Sequence, residues 1–205
     1  MPTPAPRKPV AAHLEQVYVK SRAAWRRWLA RHHASSPGIW LIFDKKASRP
    51  GRLAYADSVE EALCYGWIDS TLRPLDETRY MQLFTPRKAR STWSKLNKKR
   101  VARLLAGDLI APAGLAAIDT AKANGTWTAL DSVEALEVSD DLANAFAKQP
   151  IAARNFAAFS PTSRKGYLHW LRQAVRPETR AQRIAAVVQH CAANLKARQL
   201  ALKKP

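Results

Sequence analysis

Two neighbouring stretches of the chain carry side chains that could bind a ligand. In the first, Trp67 and Asp69 follow Gly66, at a point where a strand of the protein core would normally carry Val or Leu. The second is a basic run that adds cations, a hydroxyl group, an indole and an amide, namely Arg87, Lys88, Ser91, Trp93 and Asn97. The free N–H groups of a helix start near Ser94 favour a phosphate, and an indole can stack on a base or a sugar. Together the two stretches predict a pocket for a small anionic ligand.

Asp69 is the acidic member of this group, and an acid in the middle of a strand must be paired, face solvent or line a pocket. Arg87 or Lys88, at the end of the neighbouring strand, is the obvious partner. Two interpretations remain open. Asp69 and Arg87 form a structural ion pair, or Asp69, Trp67 and Arg87 contact a ligand together. A role in general acid or base catalysis would need a second group, and the sequence identifies none.

Cys64 is the candidate nucleophile. It lies near the end of a predicted helix, where the negative end of the helix dipole raises the pKa of a thiol. No histidine is near it in sequence, so we interpret Cys64 as a small buried residue. An enzyme that acts on a small anionic substrate through Asp69 or Cys64 is our second hypothesis, and no catalytic residue is assigned.

The cysteine and histidine patterns argue against a metal site. Cys64 and Cys191 are the two cysteines, they lie far apart, and they form no C-x-x-C motif. This excludes a disulfide framework and the usual kind of zinc cluster, and it suits a reducing compartment. The five histidines form no H-E-x-x-H pair. We therefore predict no metal ligands.

The chain is strongly basic, with 34 Lys and Arg against 16 Asp and Glu in 205 residues and a formal net charge of +18. Such a charge attracts phosphates, anionic lipids and acidic proteins. Charge-driven binding of nucleic acid is therefore a third hypothesis, although no helix-turn-helix, zinc-finger or RNA-recognition signature is present. The abundance of Ala and Arg is also typical of a high-GC bacterium, whose basic proteome would produce the same charge.

The sequence contains no export or membrane signal. The first ten residues are rich in proline and basic residues, and no apolar segment of a signal peptide follows them. No apolar run approaches the roughly 20 residues that span a bilayer. We therefore expect no transmembrane segment and a cytoplasmic protein.

The elements that must position the candidate residues can be predicted from local patterns. Ser21 can cap a helix, residues 39–43 form a short apolar strand, and Ser58 with Glu61 makes a capping-box pattern for a helix that ends at Gly66. Residues 67–72 and 79–85 then form a hairpin, Ser94 caps the next helix, and another helix covers residues 115–123. The remainder is helical, with Ser160-Pro161 as a cap and a first-turn proline.

These elements predict an α+β fold. A small, mainly antiparallel sheet with packed helices occupies the N-terminal part, and an all-helical C-terminal half follows. We divide the chain into a flexible basic tail (1–17), an α+β domain that carries the candidate site (18–130) and a helical C-terminal region (131–205).

Several ordered motifs resemble a known family. They are Trp25-x-x-Trp28-Leu29, Trp40-Leu41-x-x-x-Lys45-Lys46, the segment from Glu61 to Asp69, Thr85-Pro86-Arg87-Lys88-x-x-Ser91-x-Trp93-Ser94-x-x-Asn97, Pro112-Ala113-Gly114, Ser160-Pro161 to Trp170, and Glu178-Thr179-Arg180-x-x-Arg183-Ile184. From about residue 25 to about residue 188 the chain is similar to the YdeI/OmpD-associated, bacteriocin-protection-like family. Ser70 departs from the pattern, which has Gly there.

The resemblance implies little chemistry. The family name records a link with bacteriocin protection and with an outer-membrane porin, but it supplies no catalytic residues and no cofactor. A porin partner also fits poorly with a chain in which no export signal is seen. The leading hypothesis is therefore a cytoplasmic binding protein of this type, with an anion-binding pocket.

Overall fold

The structure is a computed structural model that describes residues 13–45 and 52–197. The chain divides into two compact units, of which the first ends at Thr128 and the second begins at Ala129. The first unit combines a sheet with helices, and the described part of the second unit is helical. The predicted α+β class is confirmed.

Four strands form the sheet of the N-terminal unit: β1 (Glu15–Val17), β2 (Ile39–Asp44), β3 (Trp67–Pro74) and β4 (Arg79–Pro86). Their spatial order is β1-β2-β4-β3. β1 runs parallel to β2, whereas β4 pairs antiparallel with both β2 and β3. The sheet is therefore mixed but mainly antiparallel, and the predicted hairpin is its β3–β4 half.

Four helices lie in the described residues of this unit: α1 (Arg22–His32), α2 (Tyr55–Cys64), α3 (Lys95–Ala106) and α4 (Pro112–Ala123). Two predicted caps are confirmed, because the Ser21 hydroxyl accepts from the Ala24 N–H and the Ser94 hydroxyl accepts from the Asn97 N–H. The hydroxyl oxygen satisfies a backbone N–H that the first turn of a helix leaves without a partner.

The core of the N-terminal unit lies between the sheet and its helices. Trp25 and Leu29 come from α1, Leu63 from α2, and Leu41 and Phe84 from the central strands, and all five are fully buried. The apolar run of β2 is buried on both faces of the sheet, as its sequence predicted.

Two local predictions are wrong. The helix α2 begins at Tyr55, so Ser58 lies inside it and donates its hydroxyl proton to the Tyr55 carbonyl at 2.7 Å instead of capping. Residues 15–17, which we assigned to the tail, form β1. Three residues are too few to show strand alternation, and β1 depends on its parallel pairing with β2. The tail prediction for residues 1–12 lies outside the described residues.

The described part of the C-terminal unit contains five helices: α5 (Asp131–Glu134), α6 (Asp140–Ala147), α7 (Pro150–Ala158), α8 (Pro161–Arg172) and α9 (Pro177–Ala192). Ser160 caps α8 as predicted. Phe156, Tyr167, Leu171, Val187 and Cys191 are buried together in its core.

Arginines of α9 form hydrogen bonds with residues at the start of α6 and on α8. The Arg180 guanidinium donates to both carboxylate oxygens of Asp141 and to the Ser139 hydroxyl, which lie at the start of α6. Arg183 donates to the Trp170 carbonyl at 2.6 Å and lies over the Trp170 ring. The arginines of the C-terminal family motif therefore serve the packing of helices.

Candidate functional site

Gly66 connects α2 to β3 and positions the basic segment. Its φ is +72°, a conformation that favours glycine and is common just past a helix end. Its carbonyl accepts from the Arg87 N–H at 2.9 Å. A Cβ at Gly66 would lie 2.9 Å from the Ala113 carbonyl oxygen, so glycine also permits the close approach of α4.

The start of α4 packs directly against the end of α2. The Cys64 carbonyl accepts from the Ala111 N–H at 3.0 Å, and a Cβ at Gly114 would lie 2.4 Å from the same carbonyl oxygen. No side chain fits there without a backbone shift. These contacts place the following turns of α4 opposite the segment of residues 87–93.

A cavity of about 250 Å³ lies between that segment and α4. Its walls combine two cations, two hydroxyl groups, an indole and small apolar side chains: Arg87, Lys88, Ala89, Ser91, Trp93, Ala116, Ala117, Thr120 and Ala121. None of these lining residues is acidic. Four of the predicted site residues, Arg87, Lys88, Ser91 and Trp93, therefore share one pocket.

Arg87 is the central cation of the pocket. Its guanidinium carbon lies 3.6 Å from the centroid of the Trp93 ring, which is the distance of a cation–π contact. One terminal nitrogen donates weakly to the Thr92 carbonyl at 3.4 Å, and the buried Nε has no hydrogen-bond partner in the structure. Burial lowers the pKa of Arg87 to about 10, against the opposing effect of the Asp69 charge. Arg87 therefore remains a cation at neutral pH.

Lys88 and Ser91 add polar groups to the same wall. The Ser91 N–H donates to the Lys88 carbonyl at 2.8 Å and closes a turn. The Asn124 side chain donates to the Ala89 carbonyl at 2.7 Å and so ties this turn to the end of α4. Lys88 is exposed and forms no ion pair within the described chain. The turn thus presents two cations and a hydroxyl group with no acidic partner.

Trp93 forms the floor beneath Arg87. It is only 1% exposed, and its ring packs against Trp127 with centroids 5.0 Å apart. The predicted stacking of Trp93 on a base or a sugar requires an accessible face, which this burial removes. Its role in the pocket is to support the guanidinium.

Trp67 belongs to the core and does not line the pocket. It is 1% exposed, its indole N–H donates to the His33 carbonyl at 3.1 Å, and its ring meets Trp28 edge to face. Trp67 therefore packs against the end of α1 and leaves the candidate pocket.

Asp69 finds its partner on α2 instead of the basic segment. Its carboxylate accepts from the Tyr55 hydroxyl at 2.5 Å and from the Gln82 amide at 3.4 Å. Burial, followed by this hydrogen bond, raises the pKa of Tyr55. Asp69 forms no ion pair with Arg87 or Lys88 within 4.0 Å. The structural ion pair between Asp69 and Arg87 is therefore absent, and a ligand contacted by Asp69, Trp67 and Arg87 together stays a prediction.

Asn97 also lies outside the pocket lining. Its side-chain oxygen accepts from Arg100 at 2.9 Å, one turn further along α3. Its backbone N–H is used by the Ser94 cap. Asn97 therefore contributes to the start of α3.

Cys64 is fully buried, and burial raises the pKa of its thiol, with the Glu61 charge as a further cause. The described residues contain no group of three or more His, Cys, Asp or Glu side chains that could hold a metal ion. No helix in the described part of the chain is long and apolar enough to cross a membrane.

Sequence reasoning missed a cluster of ion pairs between α1 and α2. The Glu61 carboxylate is 4% exposed and accepts from Arg22 at 2.6 Å and from Arg26 at 2.7 Å. Arg22 also contacts Asp57 and Glu60. Arg22 and Arg26 are four residues apart and so share a helix face, a signal that could have indicated an acidic partner for that face.

Two family models match separate parts of the chain. Residues 17–117 match a domain of unknown function (DUF8412), and residues 135–194 match the family described as Bacteriocin-protection, YdeI or OmpD-Associated. No curated protein and no solved structure matches the chain. The resemblance noted in the sequence is confirmed for the C-terminal segment. The candidate pocket lies mainly in the segment that the other model matches.

Proposed function

We propose that this protein, whose residues 135–194 match the YdeI/OmpD-associated family, binds a small anion in a pocket of its N-terminal unit. The observation that carries the proposal is the state of Arg87. Its guanidinium lines a cavity, rests on Trp93, and has a buried Nε without a partner. No carboxylate among the lining residues neutralises it.

An anion would relieve the unfavourable state of Arg87. Removing a cation from water costs free energy that a nearby opposite charge and hydrogen bonds offset. The Trp93 ring provides part of this compensation, and the weak bond to the Thr92 carbonyl adds little. A bound anion would accept from the terminal N–H groups of the guanidinium and offset part of this cost.

The neighbouring groups support the same function. Lys88 brings a second positive charge to the cavity, and the Ser91 hydroxyl can donate to an anionic oxygen. Charge-assisted hydrogen bonds of this kind are roughly twice as strong as neutral ones.

The lining supports binding in preference to catalysis. It includes no carboxylate, histidine or cysteine that could transfer a proton or attack a substrate. The candidate nucleophile Cys64 is buried, and Asp69 is engaged by Tyr55.

A cytoplasmic location belongs to the same proposal. Cys64 and Cys191 are both free and buried, and free thiols suit a reducing compartment. The link to an outer-membrane porin comes from the family name and is not part of the proposed function.

Calorimetric titration with inorganic phosphate at low ionic strength tests the proposal. The wild-type protein is compared with Arg87→Gln and with the matched control Arg90→Gln, which removes an exposed charge from the same segment without touching the pocket lining. We expect Arg87→Gln to weaken binding at least about tenfold, because a hydrogen bond to a charged group contributes roughly 1.5–3 kcal/mol. Arg90→Gln should stay within about twofold.

Two results would contradict the proposal. Absence of phosphate binding in the wild-type protein is one. The other is an equal loss in both variants, which would indicate diffuse attraction by net charge. A steep salt dependence with an oligonucleotide would then favour the nucleic-acid hypothesis.

A further inference from the structure

We propose that the anion in this pocket is the phosphate monoester of a small organic molecule. This inference rests on the anion-binding function proposed above and specifies its ligand. Three features of the pocket carry it: its charge, the shape of its cationic group and its apolar wall.

The charge of the lining matches a dianion. Arg87 and Lys88 contribute two positive charges, and no lining residue is acidic. A phosphate monoester carries about −1.5 to −2 at pH 7, whereas a carboxylate or a phosphate diester carries a single negative charge. A monoanion would leave one of the two cations without a counter-charge.

The cationic groups also fit the geometry of a phosphate. The Arg87 guanidinium carbon lies 3.6 Å from the centroid of the Trp93 ring, and the planar guanidinium carries paired N–H donors that can bond two oxygens of one phosphate. The Lys88 ammonium acts as a point charge, and Ser91 supplies a hydroxyl donor. The Thr120 hydroxyl already donates to the Ala116 carbonyl at 2.8 Å, so it serves as wall.

The opposite wall is suited to an organic group. It consists of the methyl groups of Ala116, Ala117 and Ala121 on α4. The volume of about 250 Å³ is just below the roughly 300–1,000 Å³ of pockets that hold drug-sized ligands. Inorganic phosphate would leave these methyl groups in contact with water, whereas an ester group would cover them. Each methylene buried in this way should improve affinity about fourfold.

The wall offers a matched pair of variants. Ala116 is exposed and lines the pocket, so Ala116→Leu would fill the space available to the organic group. Ala123 is exposed on the same helix and does not line the pocket, so Ala123→Leu is its control. Neither substitution places a large side chain in the protein core.

Calorimetric titration with four probes tests the inference: inorganic phosphate, phenyl phosphate, methyl phenyl phosphate and benzoate. We expect phenyl phosphate to bind at least about tenfold more tightly than inorganic phosphate, and the two monoanions to bind at least about tenfold more weakly than phenyl phosphate. Ala116→Leu should remove the advantage of phenyl phosphate over inorganic phosphate. Ala123→Leu should preserve that advantage. Arg87→Lys keeps the positive charge but loses the paired N–H donors of the guanidinium, so it should weaken the binding of every phosphate.

The outcomes separate this inference from the function on which it rests. If no probe binds, the anion-binding function itself is wrong. If inorganic phosphate or benzoate binds as tightly as phenyl phosphate, the pocket binds anions but is not specific for a monoester. A 5′-phosphorylated oligonucleotide that binds much more tightly than phenyl phosphate, and more tightly than its unphosphorylated form, would also overturn the small-molecule inference, because it would assign the monoester to a nucleic-acid end.

Discussion

The two units each contain an Arg-Lys dipeptide whose arginine lies over an aromatic ring. Arg87 lies 3.6 Å from the Trp93 centroid, and Arg164 lies 5.3 Å from the Phe156 centroid. The Nε of each arginine is buried without a hydrogen-bond partner. The lysines differ, because Lys165 binds the Glu134 carboxylate at 2.6 Å whereas Lys88 has no ion pair among the described residues.

This difference distinguishes a charge that is used within the fold from a charge that remains available to a ligand. In the C-terminal unit a carboxylate pairs with the lysine of the dipeptide, and Arg180 is likewise bound to Asp141. In the N-terminal unit no acid enters the lining around Arg87 and Lys88. The same residue types therefore serve two purposes, and the position of a single carboxylate distinguishes them.

The largest effect is expected from Gly114→Ala, which should disrupt the N-terminal site alone. The added Cβ would lie 2.4 Å from the Cys64 carbonyl oxygen, a backbone atom that cannot rotate away. We expect the free energy of unfolding of the N-terminal unit to fall by about 3 kcal/mol, the upper part of the usual cost of overpacking. Urea denaturation followed by tryptophan fluorescence measures it.

Gly107→Ala is the control for that substitution. A Cβ there would make only ordinary contacts, with the Leu109 side chain at 3.5 Å and the Arg103 carbonyl oxygen at 3.7 Å. Its effect should remain within about 0.5 kcal/mol. If the two substitutions lower the free energy of unfolding equally, the close approach of α4 to α2 is not what stabilises the pocket.

The second-largest effect is a difference in stability between variants of an arginine in each unit. Arg180→Met removes hydrogen bonds to Asp141 and Ser139 and should lower the free energy of unfolding by about 2 kcal/mol. Arg87→Met replaces a cation that lacks a carboxylate partner, so it should change stability by less than about 1 kcal/mol while removing phosphate binding. A large loss of stability in Arg87→Met would mean that Arg87 has a structural role, as Arg180 does, and the two units would then not differ in this respect.

A smaller effect concerns the pH dependence of the C-terminal unit. The hydrogen bond from Arg180 holds the pKa of Asp141 well below its usual range in the folded protein. The stabilisation is therefore present above the unfolded pKa of about 3.9 and is lost as pH falls through the folded value. At pH 6 the free energy of unfolding of the wild-type protein should exceed that of Asp141→Asn by about 1 kcal/mol. This gap should narrow below about pH 4.

Urea midpoints of the two proteins at several pH values measure this gap. A difference that stays constant between pH 6 and pH 3 would show that the Asp141 carboxylate does not titrate in the way that its contacts imply. The Ser139 hydroxyl also donates to the Asp141 carboxylate at 2.6 Å and helps to lower its pKa, so Ser139→Ala should show a smaller stability loss that narrows over the same pH range.

The smallest effect is expected from Glu134→Gln, which removes the carboxylate that distinguishes the two dipeptides. Its half-exposed pair with Lys165 should contribute about 0.5 kcal/mol. In a background of Arg87→Gln and Lys88→Gln, Glu134→Gln should increase the thermal shift that phosphate produces. If the thermal shift does not increase, features other than the Glu134 carboxylate must also distinguish the two dipeptides.

Local signals in the sequence predicted much of the N-terminal framework. Ser94 caps α3, Gly66 takes a positive φ, and the apolar run of residues 39–43 forms a buried strand. Each of these depends on residues that are adjacent or one turn apart. The basic wall of the pocket depends on the same kind of short-range relation, because Lys88 and Ser91 lie on one short turn and Arg87 directly precedes it.

The rest of the site depends on residues that are distant in sequence. The alanines of α4 carry no chemical signal, and they form a wall only because Gly66 and Gly114 allow helix and strand to meet closely. Asp69 was placed in the site because Arg87 or Lys88, at the end of the neighbouring strand, was its obvious partner in the sequence. In the structure its carboxylate accepts instead from the Tyr55 hydroxyl.

The sequence by itself determined the secondary structure around the site and the collection of cations, because both follow from short-range patterns. Only the tertiary structure decided which of those cations receive a carboxylate. Glu61 neutralises Arg22 and Arg26, and Glu134 binds Lys165, across long stretches of chain, whereas Arg87 receives an aromatic ring in place of an acid. Charge pairing acts through space, and the folded chain alone sets the distances on which it depends.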